Sequence, residues 1–549
     1  MNGLFLHPQF EPLTKYQKKQ LNIIVFLIKQ PMNKFIKRTS LALALTLITM
    51  GAWAQANLGD VPREIKFDDA SIETFGHLTM TITDSLVFNA EKRSYDTLRA
   101  ITNMEWFTEA GTAKMRTQAR DEAKGRYEPS DFMDGQSSYW SDMYWFRFFY
   151  PSINANGEPI TLSALAAFPD EDPEYINNVI IGCHVTITSN KEAPSEYYLT
   201  GSSLTDVGML MWHASSGSTF HKPESNPLYY NLVILPDYEG YGITKNLPHP
   251  YLYQELTARQ VVDATRYGIA LYQNSPVIAE YRHPFRPGWK TASVGYSQGG
   301  SVAMATHRFI EQNGLDDELH FAGSVCGDGP YDPIAHVRYY IRENGGLLNM
   351  PVVLPLILKG MLDSNPYMRE HKMEDYLVKK FIDTGIVQWI IDKNDPGKEK
   401  TTDDITKALD DLYENHGFND ILLDDGKAYI YKLMVPEVYD YFSNNDNFNS
   451  LPTTRGVCED LHLALESNNL TKGWTPTHPV KLWHYRSDTV VPYDNATSAN
   501  QNLGSQCSLY TAGDNIIDPQ WDHVGGGRVF YTGLNVGNAE NEMLESILE

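Results

Sequence analysis

The sequence predicts an α/β protein whose mostly parallel sheet is covered by helices, and three observations support this. First, short apolar runs of strand character alternate with longer segments of helical periodicity from residue 179 onward. Second, a serine between glycines follows one of these runs and opens a helical segment. Third, a long helix-rich insertion separates the last two runs from the others. Such alternation is typical of βαβ units, in which a helix returns the chain to a parallel neighbouring strand.

The predicted elements follow one another in a simple order. A β-hairpin is expected first, because two strand-like runs, Tyr144–Tyr150 and Ile160–Phe168, flank an Asn-Gly turn signal. The buried strands of the main series are predicted at Val179–Val185, Leu232–Leu235, Thr291–Gly295, Phe321–Cys326, Val480–Tyr485 and Ser508–Thr511. The covering helices are predicted at Leu256–Tyr272 and Gln298–Gln312.

The insertion divides the predicted core into two segments, residues 141–332 and 477–549. Residues 333–476 between them are interpreted as a helical cap or lid before the penultimate strand, over the sheet edge where ligands bind in such folds. A plain accessory helical subdomain is the alternative. The apolar segment Leu347–Leu362 would either receive an acyl chain or pack on the core. Residues 57–140 are expected to be an N-terminal extension, whose helix-compatible stretch Thr108–Arg126 could wrap the core.

Residues 1–56 have the pattern of a targeting segment. From Met32, basic residues precede the apolar run Leu41–Met50, and alanines follow at alternate positions up to Ala56. This layout predicts a secretory signal peptide that starts at Met32 and is cleaved after Ala54 or Ala56, with residues 1–31 as a spurious extension. We therefore expect an exported protein, periplasmic or extracellular.

Composition and charge narrow the classes of partner. The chain has 549 residues, of which 42% are hydrophobic and 21% charged, as in globular proteins. Its formal net charge of −24 disfavours nucleic acid and anionic membranes as partners. Past the signal, no apolar run is long enough to span a bilayer, so stable membrane insertion is not expected.

The four cysteines are widely spaced, which does not suggest a zinc site. Three disulfide pairings are possible in an exported protein. Cys183 and Cys326 lie in strand-like runs and are expected to be buried free thiols. Cys458 and Cys507 form the more plausible bridge.

The strongest motif is Gly295-Tyr296-Ser297-Gln298-Gly299, which fits the Gly-x-Ser-x-Gly nucleophile elbow. A sharp turn from strand to helix places the serine in a strained backbone conformation, and small neighbours allow strand and helix to approach. Here the strand-like run ends at Gly295, and Gly299 lies in the first turn of the predicted helix. We therefore predict Ser297 as a nucleophile.

A nucleophilic serine requires a histidine as base and a carboxylate that orients this histidine. In this architecture the chain order is serine, acid, histidine. Asp488 follows the run Val480–Tyr485, and His523 follows the last run, so these two are the predicted partners of Ser297. The alternative acids are Asp494 and Asp522. His478 and His484, before and within a strand, are less suitable bases.

Acyl transfer also needs donors for the developing oxyanion. One is expected to be the backbone N–H of Gln298, the residue after the nucleophile. The second should come from the loop after the early strand, in "IIGCHVTITSN", where Val185 and Thr186 are both candidates.

The segments "LPDYEGYG", "GYSQGG", "GPYD" and "HPVKLWHYRSDTVVPYDNA" together resemble the secretory lipase group of α/β-hydrolases. The similar segments follow the same order along the chain, from about residue 144 to residue 523. The resemblance implies an α/β-hydrolase fold with a helical lid, the triad Ser297, Asp488 and His523, and a "DYEG" loop whose Asp237 and Tyr238 border the site. Tyr296, next to the nucleophile, is a further candidate for substrate contact. Val185 stands where bacterial members of the group tend to have glycine.

The expected activity is hydrolysis of a carboxylic ester through an acyl-enzyme. The substrate would be a small-molecule ester, either a lipid or a carbohydrate-linked acyl group. This chemistry needs no metal or organic cofactor. A serine exopeptidase on the same frame is the enzymatic alternative, although no β-propeller-sized domain precedes the core. The alternative that is not an enzyme is a protein that binds acyl groups or glycans without catalysis.

Overall fold

A computed structural model describes residues 61, 62, 65, 71–89, 94–108, 114–116, 137–197, 205–215, 226–395, 397–512, 523–532 and 539–549. All of them belong to one compact unit, Leu58–Glu549. The predicted signal segment and the alternative acid Asp522 lie outside the described residues. No helix among the described residues combines the length and apolar character that a membrane span requires.

Thirteen strands lie in the described part of the chain, and eleven of them form one sheet. Their order across this sheet is β13-β12-β9-β8-β6-β7-β5-β4-β1-β2-β3. The strands are β1 (Ile72–Asn89), β2 (Ser94–Thr108), β3 (Lys114–Arg116), β4 (Ser137–Ile153), β5 (Pro159–Pro169), β6 (Val179–Cys183), β7 (Leu232–Pro236), β8 (Thr291–Tyr296), β9 (Phe321–Gly327), β10 (Leu347–Leu348), β11 (Ala428–Tyr429), β12 (Val480–Tyr485) and β13 (Cys507–Ala512).

The sheet has a parallel part and an antiparallel part. From β7 to β13 all neighbouring strands are parallel, which confirms the predicted parallel core. The predicted hairpin is also confirmed, since β4 and β5 pair antiparallel with Tyr144 opposite Phe168. The prediction for residues 57–140 was wrong in part. β1, β2 and β3 extend the sheet by antiparallel pairing, and Lys114–Arg116 is a strand inside the stretch expected to be helical.

Fifteen α-helices lie in the described residues. They are α1 (Thr205–Met211), α2 (Gln254–Asn274), α3 (Gln298–Asn313), α4 (Asp316–Leu319), α5 (Pro333–Arg338), α6 (Val353–Ser364), α7 (Lys379–Ile382), α8 (Ile386–Ile391), α9 (Thr402–Asn415), α10 (Ile430–Leu433), α11 (Pro436–Ser443), α12 (Val457–Ser467), α13 (Asp494–Asn502), α14 (His523–Thr532) and α15 (Ala539–Leu548). The predicted helices at 256–272 and 298–312 correspond to α2 and α3.

Apolar side chains cover both faces of the sheet, because successive strand residues point to opposite sides. On one face Ile181 packs with Val261 of α2 and Val302 of α3. On the other, Ile180 shares a cluster with Phe530 of α14. Burying each such side chain stabilises the fold by roughly 1.5–3 kcal/mol. The sheet is therefore held between helices on both of its faces.

Residues 333–476, which we call the cap, follow β9 and precede β12, and they contain α5–α12 with the small sheet of β10 and β11. The cap has an apolar cluster of its own, which includes Leu358, Tyr376 and Phe381. Tyr251 from the loop before α2 joins this cluster. Gly360 of α6 lies so close to it that an added Cβ would be 2.5 Å from the Tyr251 backbone nitrogen. The apolar segment 347–362 therefore packs mainly within the cap, and Gly360 contacts the loop before α2.

All four cysteines are free in the structure, so the predicted bridge between Cys458 and Cys507 is wrong. Cys458 lies at the start of α12 in the cap, whereas Cys507 begins the edge strand β13 of the main sheet. The two thiols thus belong to different layers of the protein. Cys183 and Cys326 are buried free thiols, as expected.

A buried ion pair between His213 and Glu540 attaches α15 to the core. The His213 Nε2 atom lies 2.9 Å from Glu540 Oε1, and its Nδ1 lies 3.2 Å from the carbonyl oxygen of Leu228. Because both partners only accept, both ring nitrogens carry protons in this geometry. Burial opposes the imidazolium, but the Glu540 carboxylate prevails and raises the pKa of His213 above 6.5.

This pair predicts a pH-dependent stability. A histidine whose folded pKa is raised stabilises the protein below its unfolded pKa and loses this contribution as the pH rises through the folded pKa. We expect the melting temperature to fall as the pH rises above 6.5, and the dependence to be weaker in His213→Gln. Differential scanning calorimetry at matched ionic strength measures both curves. Parallel curves for parent and variant would show that His213 does not cause the dependence.

Candidate active site

Ser297 lies in the turn between β8 and α3, at the carboxyl edge of the parallel strands. Its backbone has φ 57° and ψ −124°, in a region that non-glycine residues seldom occupy. The backbone N–H of Ser297 donates to Gly327 O at 2.9 Å, which holds the turn against β9. From Thr291 to His307, Ser297 alone is partly exposed, and its neighbours are buried. The turn thus presents one hydroxyl at the end of the sheet.

Two glycines of the motif permit this turn. A Cβ on Gly295 would be 2.5 Å from the carbonyl oxygen of Cys183, and a Cβ on Gly299 would be 2.0 Å from the same oxygen. Real side chains do not reach such distances from backbone atoms. The glycines are therefore required for the close approach of β8, α3 and the end of β6.

His523 and Asp488 complete a line of hydrogen-bonding groups with Ser297. His523 Nε2 lies 2.8 Å from Ser297 Oγ, and His523 Nδ1 lies 2.5 Å from Asp488 Oδ2. His523 is the first residue of α14, and Asp488 follows β12. The structure thus brings together the three residues predicted from the sequence. The alternative acid Asp494 lies at the start of α13.

Asp488 is held as an ionised acceptor. Its Oδ1 atom accepts backbone N–H bonds from Val490 and Val491 at 2.7 and 2.8 Å, and its side chain is fully buried. Burial alone would raise the pKa of Asp488, but the charge and hydrogen bond of His523 hold it at about 2. Because Oδ1 is occupied by two donors, only Oδ2 faces His523. The His523 Nδ1 atom must then carry the proton, which leaves Nε2 as the acceptor for the serine hydroxyl.

A second buried carboxyl, Asp328, adjoins the three residues and was not predicted. It follows β9, and its side chain lies within 4.8 Å of Asp488 and His523. Asp328 Oδ1 accepts the backbone N–H of Tyr485 at 2.9 Å. Its Oδ2 lies 2.6 Å from the Tyr296 hydroxyl, which also lies 2.8 Å from the backbone oxygen of His523.

This arrangement indicates that Asp328 is protonated. The Tyr296 hydroxyl has one proton for two acceptors, Asp328 Oδ2 and His523 O, and a protonated Asp328 satisfies both bonds by donating to Tyr296 while Tyr296 donates to His523 O. His484 fits the same assignment. Its Nε2 donates to Val491 O at 2.9 Å, and burial lowers the pKa of His484 to about 4, so the ring is neutral and its Nδ1, at 3.6 Å from Asp328 Oδ1, carries no proton. Burial and the Asp488 carboxylate raise the pKa of Asp328 well above its usual range.

Two substitutions test the protonation of Asp328. Asparagine is neutral and can accept from Tyr485 while donating toward Tyr296, so Asp328→Asn should keep turnover within about tenfold of the parent. Asp328→Ala leaves buried polar groups unpaired and should lower the free energy of unfolding by about 1–3 kcal/mol. Ester turnover against pH and chemical denaturation measure the two effects. If Asp328→Asn shifts the acid limb of the pH profile, Asp328 is ionised in the parent.

One of the two candidates for the second oxyanion donor is occupied. The backbone N–H of Val185 donates to the buried side chain of Asp206 at 2.8 Å. Val185 is therefore not free to bind the oxyanion, contrary to the prediction. Thr186 remains, with its hydroxyl 2.8 Å from the Tyr251 hydroxyl. Gln298 is the first residue of α3, where backbone N–H groups have no acceptor within the helix. The geometry therefore favours Gln298 and Thr186.

The cap holds the loop that carries Thr186. Its backbone carbonyls at Lys393 and Lys400 accept hydrogen bonds from Asn190 N at 2.8 Å and from Thr188 Oγ1 at 2.7 Å. The Gln298 side chain is fixed from another direction, since its amide donates to His249 Nε2 at 2.9 Å.

The predicted substrate contacts Asp237, Tyr238 and Tyr296 lie in the interior instead. Asp237 accepts from the Ser163 hydroxyl at 2.5 Å and from the Ser195 N–H at 2.7 Å. Tyr238 stacks on the His184 ring with a centroid separation of 4.0 Å. Both are 1% exposed, and Tyr296 is 3% exposed. These residues support the loops around the site and do not line an open surface.

Comparison with solved structures identifies the fold. A rice cell wall degrading esterase, LipA from Xanthomonas oryzae, superimposes with a TM-score of 0.52 at 20% identity, over 74% of this chain and 90% of that chain. A presumed hydrolase from Legionella pneumophila superimposes with a TM-score of 0.54 at 16% identity, over 78% of this chain and 95% of that chain.

The protein has an α/β-hydrolase fold. The parallel strands, the turn that carries Ser297 and the helical insertion between β9 and β12 occupy the predicted places. No protein-family model matches the chain, and a comparison with curated proteins gives no significant match. Identities of 16% and 20% establish the architecture, and the chemistry has to be argued from the site.

Proposed function

We propose that this protein is an exported serine carboxylic-ester hydrolase that acts through Ser297, His523 and Asp488. The proposal depends chiefly on the continuous line from Ser297 Oγ to His523 Nε2 at 2.8 Å and from His523 Nδ1 to Asp488 Oδ2 at 2.5 Å. The strained turn at Ser297 adds independent support, because it exposes the hydroxyl of one serine at the carboxyl edge of the sheet. The fold shared with an esterase favours ester substrates.

In the first step, Ser297 Oγ attacks the ester carbonyl while His523 Nε2 removes its proton. The resulting imidazolium is stabilised by Asp488, which stays ionised. The carbonyl oxygen becomes an oxyanion, which the backbone N–H groups of Gln298 and Thr186 would bind. Collapse of this intermediate breaks the ester bond, and His523 donates its proton to the departing alcohol. The acyl group remains on Ser297.

In the second step, water replaces the alcohol. His523 Nε2 removes a proton from the water, which attacks the acyl-enzyme through a second oxyanion. The acid is then released as Ser297 recovers its proton from His523. Every proton transfer passes through Nε2, so the mechanism requires that Nδ1 keep its proton throughout.

We propose that the substrate is a small-molecule ester with an acyl group that fits beside the cap. The cap lies after β9, and its hydrogen bonds to the loop of Thr186 make it a neighbour of the candidate oxyanion site. We propose that it serves as a lid that limits the length or shape of the acyl group. Lipid esters and carbohydrate-linked esters both fit this class.

Hydrolysis of p-nitrophenyl esters from acetyl to palmitoyl tests the proposed activity. We expect turnover by the purified mature protein, with an optimum chain length that reports the space under the cap. If esters are not cleaved, dipeptidyl anilides would test the exopeptidase alternative. Inactivity on both series would contradict the hydrolase proposal and favour a binding protein.

Export is proposed from the sequence pattern of residues 32–56 alone. Expression of the full chain in a bacterial host should yield a secreted protein whose first residue is Gln55 or Asn57. N-terminal sequencing of the extracytoplasmic fraction decides between the two cleavage positions. Retention of the intact N-terminus in the cytoplasm would contradict export.

A further inference from the structure

We propose that His307, Glu311 and His478 form a binding site for a divalent transition metal, with Zn²⁺ as the best-fitting ion. His307 and Glu311 lie one turn apart on α3, and His478 lies just before β12. The three side chains are at the amino-terminal end of the parallel strands, whereas the Ser297 site is at the carboxyl end. The proposal is independent of the proposed hydrolase function.

The ligand atoms converge on one point. One atom from each of the three residues lies within 4.8 Å of the other two. Glu311 Oε1 is 3.0 Å from His307 Nε2 and 2.9 Å from His478 Nδ1. An ion at about 2.0–2.1 Å from nitrogen and 2.0–2.2 Å from oxygen fits between these atoms after an adjustment of a few tenths of an ångström.

Glu311 Oε1 is surrounded by more potential hydrogen-bond donors than one carboxylate oxygen can accept from. Besides the two imidazoles, it lies 2.9 Å from Thr477 N, 2.8 Å from Thr477 Oγ1 and 2.8 Å from His478 N. Five potential donors compete for about two lone pairs on one oxygen. A cation would replace two of these five contacts by one, because both imidazoles would then direct lone pairs at the metal and no longer at Oε1, and the Thr477 N–H can also donate to Oε2 at 3.1 Å. The donors of Thr477 and the His478 backbone would remain as the outer partners of the carboxylate.

The surroundings hold two of the three side chains in place. The other ring nitrogen of His307 lies 2.8 Å from Ser324 Oγ, which would fix the orientation of the ring, as outer partners of metal-bound histidines do. Phe321 and Trp474 pack edge-on against His307, and Phe321 also packs on His478. The His307 side chain is fully buried, whereas that of His478 is 28% exposed. His478 thus provides the path by which an ion would enter.

The donor set selects the class of metal. Two imidazoles and one carboxylate suit Zn²⁺ and similar ions, whereas Mg²⁺ and Ca²⁺ prefer oxygen ligands. Three protein ligands leave a coordination position for water. The ion would join α3, which begins after Ser297, to the start of β12, whose far end leads to Asp488. We therefore expect bound metal to stabilise the fold.

Metal titration of the chelator-treated mature protein, purified without a histidine tag, tests the site. We expect one Zn²⁺ per chain at micromolar or lower concentration by calorimetry, and a higher melting temperature with Zn²⁺ but not with Mg²⁺. Co²⁺ should give the visible absorption of a nitrogen-ligated ion. His478→Ala should weaken Zn²⁺ binding by at least about 100-fold. Removing a direct ligand should cost more affinity than removing an outer hydrogen-bond partner, which typically costs about 10–100-fold.

Two further variants separate metal binding from folding. Glu311→Gln keeps the shape of the side chain and should also lose Zn²⁺ affinity. His416→Ala removes an exposed histidine of the cap and should bind one Zn²⁺ like the parent. Millimolar affinity only, or a stoichiometric site unaffected by His478→Ala and Glu311→Gln, would overturn the proposal. Ester turnover does not enter these measurements, so a failed hydrolase proposal leaves the result interpretable.

Discussion

Replacing Ser297 by alanine should lower kcat for p-nitrophenyl esters on the order of 10⁶-fold, the loss seen when a catalytic serine is removed. The reason is that the Oγ atom 2.8 Å from His523 Nε2 is the atom that bonds to the substrate carbonyl. The remaining groups can bind the ester and polarise its carbonyl, but no covalent intermediate can form. Stopped-flow detection of the p-nitrophenol burst measures acylation directly, and the burst should vanish.

The control for this variant is another serine-to-alanine change far from the site. Ser546 lies on α15, where its hydroxyl donates to Met543 O at 2.7 Å, and Ser546→Ala should keep the parent kcat. The melting temperature of Ser297→Ala should stay close to that of the parent. A folded Ser297→Ala protein with turnover within about tenfold of the parent would contradict nucleophilic catalysis by Ser297.

The parallel core was predictable because its strands are buried on both faces. Such strands are continuous apolar runs, as in Val179–Cys183, and they contrast clearly with the helices between them. The order of residues along the chain then located the site. Asp488 and His523 follow their strands, and parallel strands bring their carboxyl ends to the same edge.

The antiparallel extension was missed, although its sequence carries a signal. In β1, Leu78 and Met80 are buried and alternate with Thr79 and Thr81, which is the period of two that a half-exposed strand shows. Such alternation is weaker than a continuous apolar run. The pairing of β1 with β4 depends on residues about sixty positions away, as in Leu78 opposite Met143, and no local pattern specifies it.

The details of the site depend on contacts that are remote in sequence. Asp328 follows β9 as Asp488 follows β12, so the strand-end rule applied to every strand would have included it. The occupation of the Val185 N–H by Asp206 could not be foreseen, because the two residues are separated by a segment without a recognisable pattern. Patterns thus locate reactive groups, whereas hydrogen-bond partners decide which of them are available.

Replacing Asp488 by asparagine should lower kcat by about 10⁴-fold, and the structure explains why the fold would tolerate the change. Oδ1 accepts the N–H groups of Val490 and Val491, so the amide oxygen of the asparagine must take this place. The amide NH₂ then faces His523 Nδ1, which has to become an acceptor. The proton moves to Nε2, where it prevents His523 from receiving the proton of Ser297.

The matched control is Asp494→Asn, which removes a carboxylate of the alternative acid at the start of α13 and should leave kcat within about twofold of the parent. The imidazole proton resonances of His523 would report the tautomer directly, with the proton on Nδ1 in the parent and on Nε2 in Asp488→Asn. Equal losses in both aspartate variants would refute the assignment of Asp488. Loss of kcat in Asp488→Asn without a change of tautomer would show that the carboxylate acts through its charge, because the orientation of the ring would then be unchanged.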